Sequence, residues 1–293
     1  MNGFNRILFP TDFSPQAEAA VPFVREMALR HGASIALLHA VYIPAYAYPP
    51  EIALPPAAID PAGFVETGSE LLEQFAKRHF SDLPSVNCVS RYAAAGDPAT
   101  LITDFAHERN IDLIMLPTHG LGVFRRWLIG SVTAKVLHDA HCAVWTGVHV
   151  EEPPVGQHPR IRTILCAIDV QPSAEDLIVQ ALRLASKHTA TVFLVHCVPG
   201  PEVGPERYFD QTLERSLIAA ARGEIAGTQQ RLQTSLEVCV AAGSVSRVIH
   251  QAAVRHSADV IVAGRGRLQQ PFGRLRTNVY SIVRDSPCPV ISY

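Results

Sequence analysis

The sequence predicts an α/β chain built as two tandem domains, each a five-stranded parallel sheet flanked by helices. Three observations carry that reading. Short apolar runs alternate with longer amphipathic stretches, which is the pattern of strands joined by helical crossovers. The alternation is then written a second time, in the same order. Between the two copies, residues 146–159 (TGVHVEEPPVGQHP) are rich in proline and poor in periodic apolar residues, so they read as a linker. A length of 293 residues suits about two domains of ordinary size. The expected division is residues 1–147, a linker at 148–160, and residues 161–293.

Four blocks establish the repeat. RILFPTD, from Arg6 to Asp12, matches RTILCAID, from Arg162 to Asp169. ALLHAV, from Ala36, matches FLVHCV, from Phe193. IDLIM, from Ile111, matches ADVIV, from Ala258. HCAV, from His141, matches PCPV, from Pro287. Four matches in one order exclude coincidence and make the unit about 140 residues long.

The first copy opens with a strand at 7–9. A helix over 15–30 follows, with Ser14 as its N-cap and Gly32 just past its end. A second strand spans 34–42, and a proline-rich excursion fills 43–61. An amphipathic helix at 64–79 leads to a third strand at 86–93. Gly96 frees the next turn, and Asp97 caps a helix over 98–109. The fourth strand is 111–116. Pro117-Thr118-His119-Gly120 then disfavours both helix and strand. Nine residues later, Gly130-Ser131 precedes a helix at 132–139, with Ser131 as candidate N-cap, and 143–146 is the fifth strand. The second copy places strands near 163–168, 190–198, 235–241, 259–263 and 288–292.

Composition narrows the function. Nearly half the residues are apolar (48%), enough for two cores, and the net charge of −2 argues against a nucleic-acid surface built on bulk charge. No run approaches the roughly 20 apolar residues that span a bilayer, so no membrane partner is expected. The N-terminus lacks a charged-then-apolar signal, which makes a cytoplasmic location the expectation. The 6 cysteines form no CxxC pair and mostly lie in apolar runs, so buried, reduced thiols are expected. The 13 histidines lack metal spacing; His138 and His141 stand near a helix end without a third ligand.

The chemistry concentrates at Pro117 to Thr133. A buried strand, a glycine-bearing loop and a helix start together form an anion site, because first-turn amides and the positive helix end face whatever sits there. Parallel sheets take ligands outside their carboxyl ends, where the winding reverses. Asp12 and the loop before Ser131 both belong at such ends and can face one cleft. Asp12 also has a plainer reading, as a turn or cap aspartate, and His39 reads as a satisfied core histidine.

These residues resemble the universal stress proteins over essentially the whole chain. ATP-binding members of that family carry Gly-x2-Gly-x9-Gly-Ser/Thr between the fourth strand and the last helix. His119-Gly120, nine residues, then Gly130-Ser131-Val132-Thr133 fits that pattern, as do Pro10-Thr11-Asp12 and His39-Ala40-Val41. The resemblance implies Rossmann-like (HUP-type) domains and an adenine nucleotide, ATP with or without Mg2+, in the first of them. Pro10, Thr11 and Asp12 would line base and ribose, and Val41 would offer its backbone to adenine. Met115 and His119 would flank sugar and phosphates. Gly120, Gly130, Ser131, Val132 and Thr133 would give amides and hydroxyls to the phosphate chain. Pro117 stands where the pattern wants its first glycine, which removes one amide donor and stiffens the loop entry.

The second copy departs further. Gly264-Arg265-Gly266 is one residue short, Arg276 takes the place of Gly130, and Thr277 that of Ser131. Loss of the nucleotide mode is expected there, although Asp169 remains. The resemblance also implies pairing through the fifth strands, as an intramolecular pseudo-dimer first and a homodimer second. An enzyme is not expected: there is no GxxxxGK[ST], no Walker-type lysine and no evident base, so any ATP hydrolysis should be slow. HxGH and KMSKS-like signatures of adenylyl transfer are absent, and no phospho-receiver aspartate ends the third strand. The alternative is a nucleotide-free interaction protein.

Overall fold

A computed structural model describes residues 3–41, 61–117, 129–147, 159–200, 211–265 and 274–293. The chain divides into two compact units. One holds the described residues of Phe4–Val123 and Gly130–Cys142; the other is chiefly Ala143–Tyr293.

In the first unit, strands β1 (Arg6–Pro10), β2 (Ser34–Val41), β3 (Val89–Ala95) and β4 (Leu113–Pro117) lie in the order β3-β2-β1-β4. The registers are parallel: Ile7 faces both Ile35 and Leu113, and Ile35 faces Val89. Helices α1 (Pro15–His31), α2 (Pro61–Phe80), α3 (Pro98–Glu108) and α4 (Ser131–Asp139) provide the crossovers and flanks. Ile7, Leu8, Phe9, Leu37, Leu113, Ile114 and Met115 are fully buried at 0% exposure, as central strands of a two-faced sheet must be.

Local chemistry sets the helix ends. The Ser14 hydroxyl accepts from Ala17 N, and Gly32 closes α1 at φ 64°, a left-handed conformation that suits a residue without Cβ. Asp97 caps α3 by accepting from Thr100 N. Two expectations need correction. The third strand begins at Val89, not 86, because Ser85–Asn87 forms a 3-10 turn whose buried Asn87 donates from Nδ2 to Ala28 O and Ala33 O, both at 2.8 Å. That amide pins the chain to the end of α1 before the strand can start. The N-cap of α4 is Gly130, and Ser131 is its first helical, exposed residue, with no side-chain cap bond formed.

The second unit runs β5-β10-β9-β6-β7-β8. These are β5 (Ala143–Gly147), β6 (Thr163–Ala167), β7 (Thr191–Val198), β8 (Glu237–Ala242), β9 (Val260–Ala263) and β10 (Val290–Ser292). Its helices are α5 (Ser173–His188), α6 (Gln211–Leu232), α7 (Val245–Arg255) and α8 (Arg274–Asp285). The sheet is parallel except that β10 pairs antiparallel with β5, Ile291 facing Trp145. Hydroxyls reinforce that pair reciprocally: Thr146 Oγ1 donates to Val290 O and Ser292 Oγ to Val144 O, each at 3.3 Å.

The cysteine expectation is half corrected. All six are free thiols, but Cys166 and Cys288 alone are buried; Cys88 is exposed and the other three intermediate. Burial pushes the Cys288 thiol up to about 12 and the half-buried Cys197 thiol up to about 11.

Candidate functional site at the carboxyl ends of strands one and four

The winding of the first unit reverses between β1 and β4. Their carboxyl ends carry Pro10-Thr11-Asp12 and Pro117. The stretch after β1 is a tight turn in which three side chains each take a backbone amide. Thr11 Oγ1 accepts from Phe13 N at 3.0 Å, Asp12 Oδ1 from Ser14 N at 3.1 Å, and Ser14 Oγ from Ala17 N at 3.2 Å. Phe13 sits at φ 61°, a left-handed conformation costing a non-glycine residue about 1 kcal/mol or more. The turn reading of Asp12 therefore holds. One carboxylate oxygen serves the turn; among the described residues, no partner meets the other.

The start of α4 is tied to the carboxyl end of β4. Thr133 Oγ1 donates to the Pro117 carbonyl at 3.2 Å, tying the helix to the end of β4. The helical ladder begins with Ala134 N bonded to Gly130 O at 2.9 Å, so the amides of Ser131, Val132 and Thr133 have no intrahelical acceptor. First-turn amides without intrahelical acceptors are the feature an anion site requires. One role changes: the single hydroxyl proton of Thr133, 5% exposed, is committed to Pro117 and is not available to a phosphate.

Other expected residues sort by burial. Met115 is 0% exposed inside β4, so its side chain belongs to the core beneath the cleft and not to its wall. Val41 ends β2 with its carbonyl accepting from Gly96 N at 3.1 Å, which leaves that oxygen one further lone pair. His119 and Gly120 lie outside the described residues.

One residue set aside by sequence reasoning touches the turn after β1. His39 Nδ1 stands 2.9 Å from Thr11 O, and its ring meets that of Phe13 at 4.5 Å between centroids. Its recurrence as His196 was the available signal; His196 Nδ1 likewise stands 2.9 Å from Ile168 O.

The second unit differs. Ile168 replaces Thr11 and offers no hydroxyl to its turn, and Asp169 Oδ1 accepts from the adjacent Val170 N at 2.8 Å. The last crossover helix is described over Arg274–Asp285, so Arg276 lies within it, whereas Gly130 precedes its helix. Gly266 lies outside the described residues. A cavity of about 280 Å³ opens beside Asp169, rimmed by Glu175, Glu224, Thr228 and Arg231 over Ile225. Among the described residues, no three His, Cys, Asp or Glu are grouped to hold a metal ion, and no helix is long and apolar enough to cross a membrane.

Comparison with known proteins agrees with this architecture. The model of the universal stress protein family matches twice, over residues 3–146 and 160–292. A Staphylococcus aureus (strain USA300) protein described as a universal stress protein is 27% identical over 163 residues, which are 55% of this chain and 93% of that protein. The crystal structure of a universal stress protein from Archaeoglobus fulgidus shares the fold with a TM-score of 0.66 and 21% identity, over 98% of this chain and 95% of its own. One from Pseudomonas aeruginosa UCBPP-PA14 does so at 0.65 and 16%, over 99% and 93%. Matched in both halves by one family model, the chain belongs to the universal stress protein family as a tandem two-domain member.

Proposed function

We propose that the first domain, residues 1–147, binds an adenine nucleotide, ATP with or without Mg2+, and that the protein is a cytoplasmic, nucleotide-responsive regulator of the stress response. The observation that carries this reading is the Thr133–Pro117 hydrogen bond. It seats a glycine-preceded helix N-terminus at the carboxyl end of β4, the neighbour of β1. Three first-turn amides and the helix dipole then favour a phosphate chain. Asp12, at the end of β1, supplies a carboxylate oxygen for ribose hydroxyls. Gly120 and His119 complete the phosphate loop in this reading, and Val41 gives its backbone to the base.

In the same reading the second domain, residues 161–293 after a linker at 148–160, takes no nucleotide in this manner. The two domains form an intramolecular pseudo-dimer through their fifth strands, β5 and β10, with whole-chain homodimerisation secondary. The reciprocal Thr146 and Ser292 hydrogen bonds support that pairing. Catalysis in this reading is at most slow hydrolysis, since the sequence carries no GxxxxGK[ST] and no Walker-type lysine.

Isothermal titration of the protein with ATP and magnesium tests this. Saturable heat in the micromolar range, lost in Gly130→Arg, is the expected result. No heat favours the second reading, a nucleotide-free interaction protein, for which Pro117 in place of the motif glycine is the specific support.

A further inference from the structure

A carbonyl can only accept, so the 2.9 Å contact between His39 Nδ1 and Thr11 O fixes the proton on Nδ1. Thr11 N in turn donates to Leu38 O at 2.9 Å. Both backbone polar groups of Thr11 are therefore held against β2. The ring that does this is itself confined. Phe13 lies against it, and a Cβ at Gly68 of α2 would come within 3.0 Å of its Cδ2.

The consequence falls on the next residue. Thr11 O and Asp12 N belong to one trans peptide, in which C=O and N–H point in opposite directions. With the carbonyl drawn toward β2, the Asp12 amide must point away from it, toward β4, where the winding reverses. Among the described residues, no acceptor is bonded to Asp12 N. We propose that His39 is a positioning residue of the nucleotide cleft, which through the Thr11 carbonyl aims the Asp12 amide at the ligand as a hydrogen-bond donor. This role rests on the nucleotide reading of the first domain.

The second unit holds a built-in control. His196 makes the same bond to Ile168 O, and Ile168 N bonds to Val195 O at 2.9 Å, but the turn beyond it is different. Removing either imidazole breaks the same kind of hydrogen bond. Only the one in the first unit serves the cleft.

The experiment is titration of full-length wild type, His39→Ala, His39→Asn and His196→Ala with ATP and magnesium, with thermal unfolding of each followed in parallel. Asparagine Nδ2 stands where the imidazole Nδ1 does. His39→Ala is expected to weaken binding about five- to tenfold, the worth of one hydrogen bond, and His39→Asn to restore it to within about twofold. His196→Ala should lower the unfolding temperature as much as His39→Ala while leaving ATP affinity unchanged. Wild-type affinity in folded His39→Ala, no rescue by asparagine, or an equal loss in His196→Ala would each overturn the positioning role alone. A wild type that gives no saturable heat overturns the nucleotide reading itself, and this role with it.

Discussion

Gly68 of α2 approaches His39 of β2 so closely that an added Cβ would stand 3.0 Å from the imidazole Cδ2 and 3.1 Å from Val41 Cγ2. The ring cannot swing aside, because its Nδ1–H is engaged with Thr11 O. Gly68→Ala gains up to about 1 kcal/mol of helix propensity and loses about 1–3 kcal/mol to overpacking, so net destabilisation is expected. Gly223 of α6 is the contrast, with nothing within 4 Å of its added Cβ. There the same change should stabilise by about 0.5–1 kcal/mol. Thermal unfolding of the two variants should move in opposite directions; a stabilised Gly68→Ala would refute the close packing.

Thr133→Val keeps shape and removes the hydroxyl that binds Pro117 O. A loss of about 1 kcal/mol in chemical denaturation is expected. ATP affinity should fall as well, since the same bond seats the α4 amides. Unchanged stability and unchanged affinity together would show that the helix start is held by other contacts.

A carboxylate repeats at the entry to each sheet. Asp112 Oδ2 accepts from Asn5 N and Arg6 N at 2.8 and 2.9 Å, and Asp259 Oδ2 from Arg162 N and Thr163 N at 2.7 and 2.8 Å. Each clamp uses a single oxygen, which an amide side chain also possesses. Asp112→Asn should therefore cost less than about 0.5 kcal/mol, while Asp112→Ala should cost about 1 kcal/mol with solvent replacing the lost bonds. Asp259→Ala should match Asp112→Ala, and urea unfolding measures all three.

Asp97 gives a pH signature. Hydrogen bonds from the Thr100 hydroxyl first, then Lys135 and the Thr100 amide, hold its carboxyl at about 2 against an ordinary 3.8. A depressed folded-state pKa means that its contribution to joining α3 and α4 is present above about 3.8 and is lost as the pH falls toward 2. Carbon-13 titration of the carboxyl should show the low midpoint, and Thr100→Val should raise it more than Lys135→Ala. A midpoint near 3.8 in the intact protein would contradict the geometry.

Much of this was legible because the signals are local. Ser14, Gly32 and Asp97 mark helix ends by chemistry acting over a few residues, and strand cores follow from unbroken apolar runs. Boundaries failed where a distant partner intervened. Asn87 delays β3 by bonding to Ala28 and Ala33, more than fifty positions away in sequence. Ser131 lost the cap to Gly130 because hydroxyl-bearing residues and glycine both suit that position, and the docking of Thr133 on Pro117 selected the register.

The amino-acid order by itself determined the duplication, the α/β class, and a glycine-preceded helix after a buried strand, since each depends on periodicity and near neighbours. Only the tertiary structure decided which polar atoms are already taken. It turned Thr133 from a phosphate donor into an anchor, sank Met115 into the core, and brought His39 to the Thr11 carbonyl. Hydrogen-bond partners are chosen by proximity in space, and the sheet puts residues 28 positions apart within 2.9 Å of each other.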